Sequence, residues 1–68
     1  MSVNKVIELM AESDKSWEDA AEKAVKQASK SVKGIKSIWI KDFAATVDDN
    51  GKLQTYRITA KVSFEVMD

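Results

Sequence analysis

LQTYRITAKVSFEVMD, residues 53–68, alternates almost without error. Tyr56, Ile58, Ala60, Val62, Phe64 and Val66 fall on one side. Thr55, Arg57, Thr59, Lys61, Ser63 and Glu65 fall on the other. A period of two predicts a strand with one face in a core and one polar face. At ~3.3 Å per residue this strand spans roughly 45 Å. One short helix cannot cover that length. Something outside the chain is therefore expected to share the strand, and its polar face is where function is expected to sit.

The elements before it follow from local signals. Asp48-Asp49-Asn50-Gly51 supplies a hairpin turn, in which Asn50 and Gly51 both tolerate positive φ. The same four residues have a faint likeness to a calcium loop, but the twelve-residue ligand pattern and its closing glutamate are missing. Ser37–Val47 reads as a preceding strand. Ile38 and Ile40 share one parity and Phe43, Ala45 and Val47 the other, which a bulge near Lys41–Asp42 would reconcile. Upstream, Trp17, Ala20, Ala21, Ala24, Val25, Ala28, Val32 and Ile35 recur at three- and four-residue steps, one apolar stripe of a helix. Ser16 is placed to cap it with Asp19 bonding back, and Gly34 is placed as its left-handed C-cap. Val3–Ala11 reads as a first strand with Ile7, Leu9 and Ala11 on one face, and Glu12–Lys15 as a polar turn. The predicted architecture is α+β, in the order β-α-β-β. Its three-stranded antiparallel sheet, in the order 1-3-2, partly wraps around one helix. Residues 1–68 form a single domain, without linkers or repeats.

Composition narrows the chemistry. The 68 residues contain no cysteine and no histidine, so disulfides, thiolate chemistry and zinc sites are excluded and the commonest general base is absent. So small a core without staples predicts oligomerisation. Eleven basic residues balance eleven acidic ones, which argues against nucleic acid or an anionic membrane as partner. With no apolar run long enough to span a bilayer and no signal-peptide pattern, the chain reads as soluble and cytoplasmic.

No catalytic constellation is visible; the serines lack a neighbouring base, and the carboxylates read as solvated surface charges. Trp17 lies on the apolar stripe and reads as core. Trp39 opposes Ile38 and Ile40 by alternation, so it leaves the core face, where a large aromatic marks an interface or a stacking platform. Arg57 lies on the polar side of the last strand. An indole and a guanidinium on one sheet face can hold an anionic aromatic molecule; equally, Arg57 can stack on Trp39 in a subunit contact.

Three segments then carry a resemblance. Lys5-Val6-Ile7-Glu8-Leu9, Ser16-Trp17-Glu18-Asp19-Ala20-Ala21 and Tyr56-Arg57-Ile58-Thr59-Ala60-Lys61-Val62-Ser63-Phe64 make the chain resemble the dodecin family over nearly its whole length. The resemblance implies twelve copies closed into a hollow shell, a homododecamer. It also implies non-enzymatic storage or buffering of a flavin (riboflavin, FMN or FAD) at two-fold contacts. In the family a tryptophan at the start of the second strand stacks on the flavin, and a glutamine in the third strand bonds its polar edge. Aligned without gaps, Ser37 falls on the tryptophan position and Arg57 on the glutamine position, with Trp39 two residues later on the same face. Arginine keeps donors but lacks the amide's acceptor. The resemblance thus gives two expectations. One is a flavin-binding shell with Trp39, Arg57 and Ser37 as ligand contacts. The other is a flavin-less shell with a structural or calcium-binding role, the branch to which this sequence looks closer; its metal ligands are not assigned.

Overall fold

The computed structural model describes residues 3–66. The chain forms β1 (Asn4–Ser13), α1 (Trp17–Ala28), β2 (Ile35–Val47) and β3 (Leu53–Glu65). Strand β3 lies between β1 and β2, antiparallel to both. The alternation and the hairpin turn together predict this order, because a strand that returns from a tight turn pairs with its predecessor first.

The core lies where the apolar side of β3 meets α1. Ile58, Ala60 and Val62 are buried beneath Ala20, Ala24 and Ala28. Alanine at the helix contact lets the backbone approach the sheet closely, at the expense of buried apolar volume. Ile7, Leu9 and Ala11 stand opposite Val62, Ala60 and Ile58 from β1, and Ile38, Ile40 and Phe43 do so from β2. Those last three share a face only because the register slips by one residue between Ile40 and Asp42, as the parity switch predicts.

Ser16 caps α1, its hydroxyl accepting from the Asp19 amide at 2.9 Å. The reciprocal half of the expected capping box is replaced. The Asp19 carboxylate accepts from the Ser13 hydroxyl at 2.5 Å and pairs with Lys23 at 3.2 Å. These contacts, the Ser13 hydrogen bond foremost, hold the Asp19 carboxyl below the usual carboxylate range despite an opposing desolvation. Ser13 is buried, also accepts from the Lys15 amide, and keeps β1 paired opposite Tyr56. The first strand therefore runs two residues past its expected end at Ala11.

Further boundaries differ from expectation, beginning with β2, which starts at Ile35 rather than Ser37. Helix α1 stops at Ala28 with Ser29 as its C-cap, well short of Gly34. The Ser29 hydroxyl donates to the Lys26 carbonyl, and Lys30 and Ser31 bond three residues back, winding the chain into a tight turn. Gly34 does have positive φ (+78°), but at the entry to β2. Its carbonyl accepts from Glu65 N, and an added Cβ would lie 3.4 Å from the Glu65 carbonyl oxygen. In the hairpin, Gly51 alone takes positive φ (+79°), while Asn50 does not. Gly51 N donates to Asp48 O, and the Asp48 carboxylate accepts from Asn50 N and Lys52 N, so the aspartate organises the turn. At the other end β3 stops at Glu65. Val66, expected under the helix, is exposed because the helix does not reach it, and Met67 and Asp68 lie outside the described residues.

A twelve-residue helix covers about 18 Å of a molecule 52 Å long. Trp17 extends the cover slightly, meeting Tyr56 and Phe43 edge-on with centroids 5.0 and 5.8 Å apart. Its indole N–H donates to the Ala44 carbonyl. Beyond it Phe43, Val47 and Leu53 stay exposed on the hairpin arm.

Candidate functional site

The face of the sheet turned away from α1 carries a second set of side chains. It follows directly from the register. Three rows cross all three strands: Val6–Ser63–Ser37, Glu8–Lys61–Trp39 and Met10–Thr59–Asp42. A fourth places Glu12 and Ala44 on either side of Arg57. Alternation thus presents a polar, partly aromatic surface with no helix over it.

Trp39 dominates this face, with 62% of its surface exposed. An indole so placed is anchored by its strand and largely exposed to solvent, which is what stacking on a planar molecule or on a second subunit requires. The Lys61 ammonium sits over its ring, 5.4 Å from the centroid. The bulge residue Lys41 reaches across β3 and pairs with Glu8 at 3.2 Å. Ser37 and Ser63 join hydroxyl to hydroxyl at 2.5 Å.

Trp39 and Ser37 are neighbours on this face, two residues apart on β2. Arg57 shares the face but lies four residues from Lys61 along β3, roughly 13 Å away in the strand direction. Its guanidinium Nε is 3.7 Å from a Glu12 carboxylate oxygen, and its Nη1 donates to the Met10 sulfur at 3.9 Å. The cation over Trp39 within one chain is therefore Lys61. Arg57 Nε is itself buried without a hydrogen-bond partner. Sequence reasoning passed over Lys61, Lys41 and Glu8. Counting cross-strand pairs through the Lys41 bulge was the signal that could have found them.

The same architecture recurs in known proteins. The Dodecin family model matches residues 3–67. The chain belongs to the dodecin family. A curated relative, the calcium dodecin of Mycobacterium tuberculosis, is 44% identical over 66 residues, covering 97% of this chain and 92% of the relative. Among solved structures, a point mutant of the T. thermophilus dodecin superposes with a TM-score of 0.91 at 25% identity, over the whole of both chains. The M. tuberculosis calcium dodecin, described with a novel calcium-binding site, superposes with a TM-score of 0.80 at 42% identity, over 97% of this chain and 93% of that one.

The exposed indole of this dodecin is Trp39. Among the described residues, no three acidic side chains converge into a metal cluster, and no helix is long and apolar enough to cross a membrane.

Proposed function

We propose that this dodecin assembles with copies of itself into a hollow dodecamer that binds and buffers a small ligand without transforming it, with a flavin as the leading ligand. The observation that carries this reading is the exposed Trp39 on the uncovered sheet face. Trp39 stacks on the ring and Ser37 lines the site beside it, while Arg57, two rows along the same face, is placed for the far polar end of an extended ligand rather than for the ring itself. Assembly is supported by the apolar surface that α1 leaves bare, including Phe43, Val47 and Leu53. A non-catalytic role is supported by the lack of histidine and cysteine throughout the chain. A cytoplasmic setting accords with a chain that has no cysteine to oxidise. The test is optical: purified protein is expected to be yellow, or to quench the fluorescence of added riboflavin. Colourless protein that leaves riboflavin fluorescence untouched contradicts the flavin assignment.

A second reading is a calcium-binding dodecamer, favoured by the 44% identity to a relative named for calcium. In that case the carboxylates come from more than one subunit, because none converge in threes among the described residues of one chain. Calorimetric titration of chelator-treated protein with calcium separates the readings. Saturable binding at a fixed number of sites per shell supports the second, and no heat of binding removes it.

A further inference from the structure

The surroundings of Trp39 carry information about which ring would bind there. Lys61 lies directly opposite Trp39 in the β2–β3 register, and its ammonium sits over the indole. Lys41, on the same face, has its charge met by Glu8. Lys61 is different. Among the described residues it makes no ion pair, although Glu8 is its direct cross-strand neighbour on the other side. The Lys41–Glu8 pair engages the carboxylate that register places beside Lys61, and leaves one positive charge uncompensated next to an exposed aromatic plane.

We infer that the Trp39 site discriminates in favour of planar aromatic ligands that carry an anionic group, above all a phosphate, with Lys61 as the residue that reads the charge. The inference rests on the proposed ring-binding role of Trp39 and deepens it. A neutral ring gains only stacking on the indole. A ring with a phosphate gains stacking and, in addition, a charge-assisted contact with an ammonium that makes no ion pair among the described residues. The hydroxyls of Ser37 and Ser63, one row along the strands, can turn to donate to further oxygens of the same ligand. A nucleic acid fits this surface poorly, because Glu8 and Asp42 interleave with the lysines and the chain has no net charge. A metal cation fits it no better, with an uncompensated ammonium at its centre.

Riboflavin and FMN share one ring system and differ by a phosphate, so they isolate this effect. The experiment is a fluorescence titration of the intact assembled protein with each ligand, at low and at high salt. FMN is expected to bind about tenfold more tightly than riboflavin, as one charge-assisted contact predicts. The ratio should shrink as salt screens the charge. Lys61→Gln is expected to bring the ratio close to one, and Lys61→Arg to keep it. Because the ratio is taken within each protein, a partial loss of folding does not imitate the result. Equal affinity of the wild type for the two flavins overturns the inference while leaving the flavin role standing. So does a rise in affinity for both ligands in Lys61→Gln, which would make Lys61 a cover over the indole. If neither flavin binds the wild type, the flavin role falls and this inference with it.

Discussion

The two faces of β3 are built from the same thirteen residues and have opposite fates. On one side Ile58 and Val62 are the largest fully buried side chains of the chain's described residues, at 1% and 0% exposure, and they hold the helix. On the other side Arg57, Lys61 and Ser63 meet no helix and instead engage cross-strand partners: Glu12 and Met10, Trp39, and Ser37. The contrast separates what keeps the chain folded from the face to which ligand binding is proposed. Substitutions on the first face should cost stability, whereas those on the second should cost binding.

The largest expected effect lies on the helix side. Ile58→Ala removes a fully buried side chain from the centre of a small core and is expected to destabilise by roughly 2–5 kcal/mol in denaturant unfolding. A loss under about 1 kcal/mol would mean that the core is not centred beneath α1. Next comes Ser16→Ala, which strips the N-cap from the element that makes this face a core. About 1 kcal/mol is expected, read as a lower midpoint with an unchanged denaturant slope. On the open side, Trp39→Ala should leave stability within about 0.5 kcal/mol and preserve the oligomer while abolishing flavin quenching. A clear fall in the oligomer's melting temperature with no ligand to lose would instead make Trp39 subunit glue and erase the distinction between the faces.

The smallest effect is a pH dependence at the helix start. Asp19 titrates below its ordinary value in the folded chain, chiefly through the Ser13 hydrogen bond. A carboxyl with a depressed folded value contributes stability that is complete above its unfolded pKa. That stability is lost as pH falls through the lower, folded one. The contribution should therefore be flat from neutrality down to about pH 5 and fade below about pH 4. Ser13→Ala should remove most of that acid dependence, as followed by thermal melts across pH.

Much of this arrangement was legible in the sequence. The strand order, the Lys41–Asp42 bulge, the Ser16 cap and the outward turn of Trp39 all rest on periodicity or on one-residue signals that act locally. The helix end was not. An apolar stripe that continues to Ile35 is compatible with a helix to that point, and only the need to deliver β2 beside Glu65 puts Gly34 outside it. The reach of β1 to Ser13 was hidden for a related reason, since Ser13 is held by Asp19, six residues away across a turn. At the site, pairing Arg57 with Trp39 used the right face and the wrong row. Facing parity says which side a residue is on, but only register says who its neighbour is, and the bulge shifts that register by one. The family resemblance carried the fold to its correct conclusion.

The central claim is that the helix-bare face of this dodecin belongs to a closed shell that holds a small ligand. Native mass spectrometry of the untreated protein tests it most directly, because subunit count and ligand mass appear in one spectrum. The account predicts a dodecamer of 7.6 kDa chains carrying additional mass that matches a bound flavin, or that returns when FMN is supplied. A stable 7.6 kDa monomer, or a dodecamer that takes up no ligand under any supply, would contradict it.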